Sequence, residues 1–148
     1  HTWTIPRPSH DVHLSAAATG QSDAFPFHPI ARTYQPVTPD WKPYLFGSTG
    51  AVRIDGDGDG KWSSPREQAT LLANSVEDSL DALFDKLEKY DQAVATQAAS
   101  VLDSRGVETG SKQALLKLAS KAAHVRRGYQ AYLAAKRRSR EAREAAEK

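Results

Sequence analysis

The stretch Asp55-Gly56-Asp57-Gly58-Asp59-Gly60-Lys61-Trp62-Ser63-Ser64-Pro65-Arg66-Glu67 decides how the chain is read. Three aspartates alternate with three glycines, and a helix start follows at once. In a tight loop, Asp55, Asp57 and Asp59 occupy positions one, three and five and turn their carboxylates toward one point. Like charges that close together repel unless a cation lies between them. Oxygen-only ligands suit a hard cation, and a flexible loop suits Ca²⁺ better than Mg²⁺. Gly60 stands at position six, where such a loop turns sharply with positive φ. Lys61 at position seven offers its backbone carbonyl. Ser63 at position nine offers a ligand directly or through water.

The loop resembles an EF-hand calcium loop over its first nine positions. Trp62, at position eight, is apolar as that loop requires. The departure comes at position twelve, where Arg66 stands in place of the bidentate glutamate and Glu67 follows one residue late. The missing ligand is expected from Glu67 or from a distant carboxylate such as Asp78. Residues 51–54 alternate like a strand rather than a helix. The expected unit is therefore strand–loop–helix, outside a true EF-hand pair. The competing reading is a solvated Asp/Gly turn, which the D-x-D-x-D-G spacing with an apolar eighth residue disfavours.

Downstream, Ser64 is the expected N-cap, Pro65 sits at N1, and Glu67 at N3 completes a capping box. This helix is expected to run to about Asn74. Leu80, Leu83, Phe84, Leu87, Val94, Ala98, Val101 and Leu102 then follow a helical stripe. They predict one long helix, or two with a break near Tyr90-Asp91, ending at Gly106 as the C′ residue. A last helix is expected from Ser111. Leu115, Leu118, Ala122, Val125, Tyr129 and Tyr132 recur at three–four spacing, which suits antiparallel packing on the preceding helix. That stripe ends at Leu133, so the tail is expected to project into solvent or fray.

Upstream the composition changes. All 8 prolines and all 3 tryptophans lie at or before Pro65, whereas the remainder is rich in strong helix formers. Residues 12–19 read as a strand and 20–23 as a turn. Residues 24–43, with five of the prolines, read as an ordered wrap rather than a helix or central strand. Residues 44–47 and 51–54 read as a hairpin across Gly47-Ser48-Thr49-Gly50. The expected fold is α+β: a small N-terminal β-hairpin and proline-rich wrap packed on three to four mainly antiparallel helices. Its β/loop part covers 1–64 and its helical part 65–148, expected within one compact domain of 148 residues.

Charge, at a formal +2, names no partner. Cysteine is absent, so thiolate metal sites and disulfides are excluded. No stretch is long and apolar enough for a membrane span. The chain opens on His1, not Met, as expected of a processed protein or a fragment. His10-Asp11-Val12-His13 could supply metal ligands, and His1 could bind Cu²⁺ through a free amino group, but neither spacing matches a defined zinc motif. The basic run around Lys136-Arg137-Arg138 could meet phosphate. Interleaved Glu141, Glu144 and Glu147 instead predict a solvated helix face and no nucleic-acid partner. No catalytic constellation is visible.

The order of elements carries a second resemblance. A His10-Asp11-Val12 strand, a Pro/aromatic wrap, a Gly-Ser-Thr-Gly hairpin and the aspartate loop ending Ser-Ser-Pro-Arg are followed by Tyr90-Asp91-Gln92-Ala93-Val94-Ala95 and His124-Val125-Arg126-Arg127-Gly128-Tyr129. This is similar to the C-terminal region of secreted bacterial proteins related to carbaryl-hydrolase-like PHP metallohydrolases. The resemblance implies a calcium-stiffened accessory end of an extracytoplasmic hydrolase, periplasmic or secreted, with the catalytic residues in an upstream domain. Two other functions stay open: part of a metal-dependent hydrolase, and an interaction module using the basic C-terminal helix.

Overall fold

The structure, a computed structural model, describes residues 2–20, 45–77 and 79–146. The proline-rich wrap at 24–43, Asp78 and Glu147 lie outside the described residues. The fold is α+β: short strands precede five helices. The chain divides into two compact units, one of residues 1–12 and 54–148 and one of residues 13–53.

Strands β1 (Val12–Leu14) and β2 (Ala17–Gly20) replace the single expected strand at 12–19, and β3 (Leu45–Ser48) and β4 (Val52–Ile54) follow. The hairpin expected between 44–47 and 51–54 does not form. Instead β1 pairs with β4, and β2 pairs antiparallel with β3 in the register Ala17↔Ser48 to Gly20↔Leu45. Thr49 shows the reason. Its N–H donates to the Ala16 carbonyl at 2.9 Å, and its hydroxyl accepts from the Ala16 N–H at 2.9 Å. Of the residues read as a hairpin turn, Gly47 and Ser48 thus pair with β2, and Thr49 with Ala16, the residue before it.

The helices are α1 (Pro65–Asn74), α2 (Leu80–Leu87), α3 (Gln92–Ser104), α4 (Lys112–Ala119) and α5 (Ala123–Ala146). Helix α1 starts as its sequence predicts, with Ser64 as N-cap, Pro65 at N1 and a complete capping box to Glu67. The break between α2 and α3 falls where Asp91 leaves helical geometry and accepts the Val94 N–H at 2.9 Å. Gly106, at φ 83°, ends α3.

The expected last helix is two helices, giving five among the described residues rather than three or four. Around the break, the Ser120 hydroxyl donates to the Lys117 carbonyl at 3.0 Å, competing with the helical ladder. Lys117 and Lys121 on either side are drawn to Asp81 and Asp85 of α2. The core stripe passes through the break: Leu118, Val125 and Tyr129 are all buried. Leu115 departs from the expectation: it is 42% exposed and lines a pocket with Asp103 and Leu133.

Helix α3 is central and packs on α1 and α5. Its crossing with α5 is close: a Cβ on Gly128 would meet the Gln92 carbonyl oxygen at 2.5 Å. Beside it, Phe84 and Tyr129 meet edge to face with ring centroids 5.2 Å apart. Asp103 near the end of α3 accepts from the Tyr132 hydroxyl at 2.7 Å and from Lys136 at 2.5 Å. These bonds hold its carboxyl below the usual range, Lys136 having the largest effect. Residues 135–146 of α5 are exposed, as the end of the apolar stripe predicts. Arg140 and Glu144 approach to 3.7 Å on that solvated face. No described helix is long and apolar enough to cross a membrane.

Candidate metal centre

The aspartate loop is shaped by its own carboxylates. Asp55 accepts from the Gly58 N–H through Oδ1 at 2.6 Å and from the Gly60 N–H through Oδ2 at 2.8 Å. Asp57 Oδ1 accepts from the Asp59 N–H at 3.2 Å, and Asp59 Oδ1 from the Lys61 N–H at 2.8 Å. Gly58 and Gly60 sit at φ 81° and 82°, the left-handed region that glycine enters most readily. The positive φ expected at Gly60 is present. The amides of Gly58 and then Gly60 hold the Asp55 carboxyl below its ordinary value, because each bond favours the ionised form.

A residue from far upstream completes the arrangement. Asp11 is only 3% exposed, and its two oxygens span the loop. Oδ1 accepts from the Gly56 N–H at 3.0 Å and Oδ2 from the Ser63 N–H at 2.6 Å. Gln68, on the first turns of α1, donates Nε2 to the carbonyls of Asp11 and Ser63, both at 2.9 Å. The Trp62 indole N–H donates to the Val12 carbonyl at 3.0 Å. Gly56 is buried against the same upstream segment: a Cβ there would lie 2.0 Å from the His10 carbonyl oxygen.

Asp11, Asp55 and Asp57 each place an oxygen within 4.8 Å of the others, the one such metal-competent group of three among the described residues. This cluster can hold a metal ion, because hard divalent cations take several carboxylate oxygens at once. Asp55 and Asp57 were legible as candidates; Asp59 lies in the same loop but outside this group of three. Ser63 touches the cluster through its backbone N–H to Asp11. Glu67 is engaged elsewhere: its Oε2 accepts from the Ser64 N–H at 2.7 Å, and bonding to Ser64 lowers its pKa. Of the residues expected to supply the missing ligand, Glu67 is not in the group of three and Asp78 lies outside the described residues; Asp11 is in the group. The only sequence signal for Asp11 was its place in His10-Asp11-Val12-His13.

The two histidines of that run do not join the cluster. The His10 ring packs on Tyr90 with centroids 5.1 Å apart, its Nε2 3.7 Å from Asp91. His13 is exposed. Comparison with protein-family models, with curated proteins and with solved structures finds no match to this chain.

Proposed function

We propose that the chain is a calcium-binding accessory module in which one Ca²⁺ joins the aspartate loop to the upstream strand. The observation that carries this reading is the convergence of Asp11, Asp55 and Asp57 from two distant stretches of sequence. Asp59, the Lys61 carbonyl and Ser63 are the further candidate ligands in the loop. Asp11 takes the part that a bidentate glutamate plays at position twelve of an EF-hand. The ion would offset the mutual repulsion of three carboxylates, which ordered loop amides relieve only in part.

With that glutamate replaced, affinity is expected in the ~10⁻⁵–10⁻³ M range of weak sensors and extracellular modules. Such a site fills where free Ca²⁺ approaches the millimolar range, which supports an extracytoplasmic location. The resemblance to the end of secreted metallohydrolases supports the same placement, with an upstream catalytic domain as partner. At about 100 times the dissociation constant, Ca²⁺ would stabilise the fold by ~2.7 kcal/mol. The test is thermal melting with Ca²⁺, with Mg²⁺ and with chelator. The midpoint should rise with Ca²⁺ and much less with Mg²⁺, which demands strict octahedral geometry. Three coincident curves would refute the proposal.

A further inference from the structure

The aspartate loop contains three consecutive Asp–Gly peptide bonds, Asp55–Gly56, Asp57–Gly58 and Asp59–Gly60. Asp–Gly bonds rearrange readily, because glycine has no side chain to shield its amide nitrogen from the preceding aspartate. The nitrogen attacks Cγ of that aspartate and forms a new N–C bond. The Cγ–OH bond breaks, and the hydroxyl leaves with the amide proton as water. Water then opens the resulting five-membered imide. Opening at the main-chain carbonyl routes the backbone through Cβ and leaves the former α-carboxyl as the side group. The final mass equals the starting mass.

In the folded loop, each attacking nitrogen is held by a carboxylate other than the one it would attack. The Gly56 N–H donates to Asp11 at 3.0 Å, while the Gly58 and Gly60 N–H groups donate to Asp55 at 2.6 and 2.8 Å. A negatively charged acceptor opposes loss of the amide proton, which the attack requires. It also pins the peptide plane, whereas reaction requires an aligned approach of about 3–3.5 Å. The target carboxylates are restrained as well: Asp57 and Asp59 accept the N–H groups of Asp59 and Lys61.

We propose that the loop is a latent isomerisation site whose carboxylates guard one another's peptide bonds. Asp11 guards Asp55–Gly56, and Asp55 guards Asp57–Gly58 and Asp59–Gly60. Opening the loop then exposes it to irreversible damage. The space beside Gly56 is already taken: a Cβ there would stand 2.0 Å from the His10 carbonyl oxygen.

The guarding needs no cation, so the test is run in chelator and is independent of Ca²⁺ binding. Wild type, Asp11→Ala and Asp55→Ala are incubated at neutral pH, with wild type in urea as the unfolded reference. Isoaspartate is counted at each site by electron-transfer fragmentation of peptides, and circular dichroism checks the fold. Folded wild type should isomerise about tenfold or more slowly than the urea sample at all three sites, as loss of a charge-assisted hydrogen bond implies. Asp11→Ala should speed Asp55 selectively, and Asp55→Ala should speed Asp57 and Asp59. Equal rates in folded and unfolded wild type would overturn the proposal, as would equal acceleration at every site, or none, in a folded Asp11→Ala. If Asp11→Ala does not fold, the Asp57 and Asp59 rates in folded Asp55→Ala decide the matter.

Discussion

Glycine serves two different purposes within six residues of this chain. At Gly58 and Gly60 the requirement is conformational: φ lies near 80°, and a Cβ would meet nothing within 4 Å. At Gly56 the requirement is space, since a Cβ would stand 2.0 Å from the oxygen and 2.6 Å from the carbon of the His10 carbonyl. Backbone atoms cannot swing aside as a flexible side chain can. Gly58→Ala should therefore cost ~1–2 kcal/mol for its left-handed geometry. Gly56→Ala should cost at least the ~1–3 kcal/mol of an overpacked site, and more than Gly58→Ala. Urea unfolding of the two variants in chelator makes the comparison; a milder effect at Gly56 would mean that the His10 backbone does not rest on it in solution. The left-handed turn at Gly60 was legible, because the loop pattern is local. The crowding at Gly56 was not, because its neighbour comes from another part of the chain.

Among the elements, legibility followed the range of the interactions. The start of α1 was readable to the residue because Ser64, Pro65 and Glu67 act within one turn. The separation of α2 from α3 was readable as one of two alternatives; Asp91, a local cap, decides between them. The separation of α4 from α5 was hidden, since the apolar spacing runs unbroken from Leu118 to Tyr129 and both sides enter one core. Strand partners were misread for a related reason: short β-ladders have little local signature, and tertiary neighbours choose among them. The stripe itself makes a sharp prediction. Leu118 is 1% exposed and Leu115 is 42% exposed. Leu118→Ala should destabilise by ~2–5 kcal/mol, whereas Leu115→Ala should stay within ~0.5 kcal/mol. Denaturant midpoints measured at constant m-value would check both; similar costs would mean that α4 packs through a different face.

For the molecule as a whole, one unit is assembled from residues 1–12 and 54–148, with the intervening residues belonging to the other. Asp11 is the buried polar link between the two pieces of the first unit. Its carboxylate accepts the Gly56 and Ser63 amides, and its carbonyl accepts from Gln68. Removing the carboxylate strands those two amides, at ~1–3 kcal/mol for each one left buried and unpaired. Asp57 differs, since its carboxylate is exposed and accepts within the loop from the Asp59 N–H at 3.2 Å. The two aspartates should therefore separate when metal is removed. In chelator, Asp11→Ala should lower the melting midpoint by several degrees, at ~2–4 °C per kcal/mol for a chain somewhat larger than this one. Asp57→Ala should be neutral or slightly stabilising there, because it removes one of three mutually repelling charges. With Ca²⁺ added, neither variant should recover the wild-type increase. Melting curves of the three proteins with and without chelator distinguish a carboxylate that builds the fold from one that serves the proposed ion. If Asp57→Ala melts as low as Asp11→Ala in chelator, the cluster is held together by ordinary loop bonding, and this division of roles fails.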